Sequence, residues 1–363
     1  HRSNNPQDSF WTWRELMYRF LDQLTPDHVE AIAALVQMEM LEAGYATNVE
    51  FHYLHHAPDG TAYDQRSQMA DRIMAATQTT GIGLTMLPVH YQYGGCDKRP
   101  LVRGQCRFHN DLDGFAALCD GIRKGLGNLP ADTVFGVAPH SLRAVSPDSL
   151  GHTRALGEGG PFHMHLAEQR AEVEEVSQHL GARPVEWVLG NIEVGPDCCF
   201  IHCTQMQPHE TRGLAKTGAI AGLCPITEAS LGDGIFDGVA WFESGGMIAI
   251  GSDSNIRISL SEELRSLEYS QRLRDRSRAA LAPSTASTGR HIFDAMIAGG
   301  ARAAGRKTGQ IAPGYWADLM GLDKQSVTLA GRRGDQLIDS FIFAGDDHLV
   351  RDVWSAGRHL VTE

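Results

Sequence analysis

The sequence predicts an α/β chain built as a (β/α)8 TIM-like barrel with a small β appendage, and three observations predict it. Short apolar runs rich in β-branched residues alternate with amphipathic helical stretches along most of the 363 residues. Near-continuous apolar strands separated by helices form a parallel sheet whose faces the helices cover. Polar residues follow directly on several of the apolar runs, where α/β folds keep their chemistry. After residue 306 the pattern changes to short strands broken by Gly and Asp, which reads as a separate small sheet.

Taken in order, the apolar runs are 46–56 (ATNVEFHYLHH), 81–93 (GIGLTMLPVHYQY), 134–144 (VFGVAPHSLRA), 161–169, 198–206 (CCFIHCTQM), 219–230 (AIAGLCPITEAS) and 247–255 (MIAIGSDSN). Helical patterns fill the gaps, at 26–43, 111–126, 260–276 and after 167 in AEQRAEVEEVSQHL. Seven strands are one short of a closed barrel. The helical stretch at 9–24 reads as the partner of a first strand that the chain does not carry. A seven-stranded barrel would leave two long edges open, so the natural protein is expected to begin upstream of His1. Residues 1–305 are assigned to the barrel lacking strand 1 and 306–363 to the C-terminal part of the appendage. There the stretches GQIAPGYWADLMGLD and LIDSFIFAGDDHLVRDVWSAGRHLV both read as strands and turns.

Composition narrows the function. With 42% apolar and 21% charged residues the chain suits a globular enzyme. No run of about 18 apolar residues suggests a membrane span. A net charge of −12 without a basic run makes nucleic acid and anionic membrane poor partners. Seven scattered cysteines, none in a CxxC pair, favour a reducing cytoplasm over a disulfide framework. Seventeen histidines are many, and metal or proton chemistry is a fair expectation.

The stretch HMHLAEQ, from His163 to Gln169, is the most informative. On a helix, residues i and i+2 diverge, whereas on a strand they share a face. GGPF before it reads as a turn and the residues after it as a helix, so His163 and His165 end a strand and Glu168 opens the following loop. Three other strand ends carry polar groups: His202 in FIH, Asp253 in IGSDS, and His140 with Arg143 in APHSLR. In a parallel barrel all four converge on one rim. His and Asp from different strands suit a divalent ion such as zinc, and a nearby Glu outside the ligand set can move protons. Plainer readings stand beside these. His163, one layer deeper, equally suits a hydrogen-bonded core residue, and Asp253 equally suits an N-cap. The cluster His52, His55 and His56 reads as a polar loop rather than a metal site.

HxHxxE on the fifth strand, His on the sixth, SD on the eighth and the tail motif GYWADL (GxxADL) resemble the amidohydrolase superfamily, in its one-metal deaminase branch. Longer stretches, DSFWTWRELMYR, EFHYLHH, FHMHLAEQ, TEASLGDGIF and EELRSLEYSQRLRDR, are similar to the formimidoylglutamate deiminases of histidine degradation over nearly the whole chain. The resemblance implies an amidohydrolase-type barrel with a small β-sandwich and zinc-dependent hydrolysis of N-formimino-L-glutamate to N-formyl-L-glutamate and ammonia. It further implies a homodimer. His165 and Asp253 become metal ligands, Glu168 the proton shuttle, His202 the group that polarises the substrate or helps to move its protons, and Asp253 an orienting group for the nucleophile. Arg14, Tyr53, His140 and Arg143 become partners of the substrate carboxylates. The superfamily's first-strand HxH, the other two ligands, and a substrate-touching glutamine beyond it are absent from the chain; His1-Arg2 does not replace them.

That chemistry suits these groups. An amidine-like carbon needs an activated water and a proton for departing ammonia, and a dianion in an acidic protein needs local guanidinium forks. The rival readings are a deaminase of an aminated purine or pterin, whose flat neutral ring has no use for an arginine pair, and a metal-free, non-catalytic barrel.

Overall fold

The structure, a computed structural model, describes Met17 and residues 19–362. In chain order it comprises α1 (Pro26–Glu42), β1 (Thr47–His52), α2 (Gln68–Thr80), β2 (Gly83–His90), α3 (Leu112–Leu126), β3 (Val134–Phe135), β4 (Ala138–Pro139) and α4 (Pro147–Ala155). Next come β5 (Phe162–Leu166), α5 (Arg170–Leu180), α6 (Pro184–Asn191), β6 (Cys198–His202), α7 (Pro208–Ala215), β7 (Ile220–Leu223), α8 (Pro225–Leu231), α9 (Gly238–Glu243) and β8 (Met247–Ile250). The remainder is α10 (Leu260–Asp275), α11 (Thr288–Ala303), β9 (Leu319–Leu322), α12 (Asp335–Phe343), β10 (Val350–Ser355) and β11 (Arg358–Val361).

Cap chemistry sets the helix starts. The Gly114 N–H donates to Asp111 ahead of α3, Glu262 N–H to Ser259 ahead of α10, and Arg290 N–H to Ser287 ahead of α11. Each bond satisfies an otherwise orphaned donor of a first turn.

The strands β1 to β8 run parallel. β1 pairs with β2, β2 with β3 and β4, and β5 through β8 pair in order; a single bridge, Val137 to Phe162, joins the two groups. β3 and β4 are one apolar run broken at Gly136, where a Cβ would collide with the Pro161 carbonyl. Among the described residues β1 and β8 do not pair with each other. The end of α11 forms the barrel floor. Ala303 packs with Cys199 and Ile220, and Thr85 Oγ1 donates to the Ala304 carbonyl at 2.7 Å.

Two expectations fail here. IDSFIF is not a strand but part of α12. Its Phe341 and Ile342 are buried and it packs against α10 and α11, so a helical apolar stripe was mistaken for a short strand run. Only β9, β10 and β11 form the C-terminal sheet, antiparallel in the order β11-β10-β9. Nor is the His52, His55, His56 segment an exposed polar loop, although His55 and His56 do lie in the loop after β1. All three are buried, with ring centroids 5.2 Å and 6.2 Å apart along the series. His52 alternates with Phe51 and Tyr53 and points to the opposite face of β1.

Burial pushes both His52 and the nearby His90 down to about 4. The folded chain therefore holds these rings neutral while the unfolded chain protonates them below pH 6.5, so unfolding takes up protons. Stability present above that pH is lost as pH falls towards 4, by up to about 1.4 kcal/mol per pH unit for each ring. The urea midpoint of a His90→Asn variant should therefore fall less steeply than the parent's between pH 6.5 and 5, and equal slopes would contradict this. Among the described residues no helix is long and apolar enough to cross a membrane.

Candidate active site

Strand alternation puts both histidines of β5 on one face. His163, the deeper one, is buried, with Nε2 2.7 Å from the Ala303 carbonyl on the floor. Burial pushes it down to about 4. Of the two readings left open for it, the core residue is the one that this hydrogen bond supports.

His165 lies one layer higher. Its backbone N–H and its Nδ1 both reach the His140 carbonyl, at 3.0 and 3.2 Å. Its ring stacks on His140 at 4.9 Å and meets the edge of Phe51 at 4.7 Å. Burial, then the charges of His202 and Arg143, push it down to about 3. A neutral ring that donates through Nδ1 keeps its Nε2 lone pair available, as a metal ligand must.

His202 ends β6, opposite Leu166 in the parallel register. Buried at 1% exposure, it lies between two carboxylates: Nδ1 is 3.2 Å from Glu228 Oε1, and Nε2 is 3.8 Å from Glu168 Oε1. Burial alone would lower its pKa, but Glu168, Glu228 and Asp253 outweigh it and push the ring up to about 10. It is an imidazolium at neutral pH. Glu168 is itself buried, which raises its carboxyl, while His202 and Arg143 pull it back.

The loop holding Glu168 is tied down at its backbone. Ala167 and Glu168 N–H donate to the two Glu172 carboxylate oxygens at 3.2 and 2.9 Å, and Thr204 Oγ1 donates to the Glu168 carbonyl at 2.7 Å. Ala167, His202, Cys203 and Asp253 all have positive φ. For non-glycine residues that conformation costs about 1–2 kcal/mol, and it recurs here at the carboxyl ends of β5, β6 and β8.

Asp253 is solvent-accessible yet closely surrounded on this rim. The surrounding protein, then Glu168 and Glu228, push its carboxyl up to about 6 against the pull of His202. It is not the N-cap of α10, a role that Ser259 takes. Burial would lower the Arg143 pKa, but Glu172 and Glu168 raise it. The Arg143 Nε is buried without a hydrogen-bond partner among the described residues, a donor suited to an incoming anion. Tyr53 packs edge-on against Phe108 at 4.8 Å, and its ring lies 6.5 Å from His140. Arg14 lies outside the described residues.

Sequence reasoning passed over three acids here. Glu228 holds His202, and Glu172 holds the Glu168 loop from the first turn of α5, where an acid reaches back to preceding N–H groups. Asp233, 2% exposed, accepts from Gln169 through Oδ1 and from Gln205 through its carbonyl, so it joins the loops after β5, β6 and β7. Burial, then Glu168, push it up to about 8, and its Oδ2 has no partner among the described residues. Only the stretch TEASLGDGIF, which contains Glu228 and Asp233, carried a signal in the sequence.

His165 and Asp253 fit a divalent ion in kind and fall short in number. Among the described residues no three His, Cys, Asp or Glu side chains form a metal-holding group, whereas metal sites take three or four protein ligands.

The amidohydrolase family model matches residues 1–360. The chain belongs to the amidohydrolase family. This amidohydrolase is 44% identical to the formimidoylglutamate deiminase of Pseudomonas aeruginosa, over 99% of its own length and 80% of that protein. It superposes on the crystal structure of an amidohydrolase from Brucella melitensis with a TM-score of 0.96 at 47% identity, covering 100% of this chain and 80% of that one. An adenosine deaminase from Xanthomonas campestris with bound zinc shares the fold, at TM-score 0.81 and 20% identity over 99% and 76% of the two chains. A parallel α/β barrel of the TIM type and hydrolysis of a C–N bond other than a peptide bond accord with this membership, as does a divalent metal.

Proposed function

We propose that this amidohydrolase hydrolyses N-formimino-L-glutamate to N-formyl-L-glutamate and ammonia, with zinc as its metal. The observation that carries the reading is the buried Glu168–His202 pair on the same rim as His165, Asp253 and the cationic Arg143. The deiminase named above supports the choice of substrate.

His165 Nε2 and Asp253 are the described residues that would hold the metal, which when bound supplies a nucleophilic water at neutral pH. Glu168 accepts the proton of the attacking water and passes it to the nitrogen that leaves as ammonia, so one carboxylate serves both halves of the reaction. His202, cationic, stabilises charge developing on the substrate and keeps Glu168 oriented through Nε2. Asp253 also orients the nucleophile. Arg143, His140, Tyr53 and Arg14 receive the two substrate carboxylates. A cytoplasmic homodimer completes the reading, supported by the resemblance and by cysteines that are all unpaired.

Ammonia release from N-formimino-L-glutamate by the full-length, zinc-loaded protein tests it. Rapid release is expected. A zinc-loaded protein that spares this substrate but deaminates an aminated purine or pterin would overturn the assignment. Arg143→Ala should raise KM for the dicarboxylate by roughly 10- to 100-fold with a smaller effect on kcat, the loss of one charge-assisted contact. An unchanged KM would remove Arg143 from the substrate site.

A further inference from the structure

We propose that Glu228 is a positioning residue for this reaction: its carboxylate fixes the His202 ring and, through that ring, the carboxylate of Glu168. The inference rests on the hydrolytic reading above and extends it to a residue that touches no reacting atom.

The contact geometry carries the argument. A carboxylate only accepts hydrogen bonds, so at 3.2 Å the Nδ1–H of His202 donates to Glu228 Oε1. That bond sets the rotation of the ring and thereby aims Nε2 at Glu168 Oε1, 3.8 Å away. Glu228 is well placed to act as an anchor. It is 5% exposed, and the Cys224 N–H donates to the same Oε1 at 2.9 Å. The Gly232 and Asp233 N–H groups return to its backbone carbonyl at 3.0 Å each. Glu228 therefore has little freedom to follow a moving histidine, and the histidine must follow it.

The backbone supports the same view. His202 has φ +72° and Cys203 φ +54°. A strand end with no duty beyond packing would relax out of that conformation, whereas here it turns the ring into the slot between the two acids. Sequence order hides the pair, because the partners are 26 residues apart on successive strand–helix units.

The test uses full-length, metal-loaded protein and a mutant cycle of Glu228→Ala, His202→Ala and the double variant, with kcat and KM measured on N-formimino-L-glutamate. In parallel, 15N-labelled parent protein is examined by long-range 1H–15N correlation of the His202 ring. Glu228→Gln is the conservative control: its amide oxygen can still accept from both Cys224 N–H and His202 Nδ1–H, so it should melt and turn over close to the parent. Glu228→Ala removes the acceptor and is expected to lower kcat roughly 10- to 100-fold with KM changed by less than about threefold. In the His202→Ala background the same change should cost less than about threefold, because the residue it acts through is gone. The parent spectrum should show a proton on Nδ1. A Glu228→Ala kcat within threefold of the parent, an equal loss in the His202→Ala background, or a bare Nδ1 would each overturn the proposal. Should Glu228→Ala fail to fold, the parent spectrum decides alone. A parent that does not turn over this substrate defeats the hydrolytic reading, while the Nδ1 proton still reports on the pairing.

Discussion

Glu168→Gln in the full-length, metal-loaded protein is expected to lower kcat by about 10²- to 10⁴-fold, the usual worth of a general acid–base group, with KM nearly unchanged. The substitution is conservative at this place. The bonds that hold the loop run from Glu172 to the Ala167 and Glu168 N–H groups and from Thr204 to the Glu168 carbonyl, so they belong to the backbone and survive. The amide loses only the ability to accept and return a proton, and its attraction to the His202 cation 3.8 Å away. Initial rates of ammonia release measure the effect, alongside a melting curve to show that the fold is intact. A variant that folds and keeps more than a tenth of the parent kcat would remove Glu168 from the proton transfers.

The second large effect is on stability, on the opposite side of the barrel from the site. Asp132 lies just before β3 and is 2% exposed. Its Oδ2 accepts from Arg306 at 2.9 Å and from Arg358 at 2.8 Å, and its Oδ1 from Arg358 at 2.9 Å. The Arg306 side chain is fully buried and has Asp318 as its other acidic partner, at 3.2 Å. Arg358 belongs to β11, so one carboxylate joins the barrel wall, the end of α11 and the C-terminal sheet. Asp132→Ala strands the Arg306 cation, which costs about 3–5 kcal/mol for a broken buried pair. The melting temperature should drop by roughly 5–10 °C, while kcat measured well below it stays near the parent value. Asp132→Ala melting within about 2 °C of the parent would mean that Asp318 alone compensates the guanidinium.

The local code of the chain is legible in its residues. Asp111, Ser259 and Ser287 start helices where they stand because their side chains satisfy first-turn donors, a matter of three or four neighbouring residues. The alternation in FHMHL likewise puts His163 and His165 on one face whatever packs around them. With parallel strands, the ends of β4, β5, β6 and β8 share a rim, and the convergence of His140, His165, His202 and Asp253 follows.

What only the tertiary structure decided depends on partners far along the chain. His163 is a core residue because the Ala303 carbonyl, 140 residues away, meets its Nε2. His55 and His56 are buried against β2 and the segment from Arg107 to His109, whose carbonyls meet their rings and N–H groups, which no polarity pattern reveals. IDSFIF is helical because α10 and α11 offer it a groove. Glu228 and Glu172 enter the site because their oxygens meet His202 Nδ1 and the Glu168 N–H, and the Arg306–Asp132 pair forms across 174 residues. Caps and alternation are fixed by the backbone's own periodicity. Charge pairing and burial are fixed only when the chain has closed, because their energies depend on which groups exclude water together.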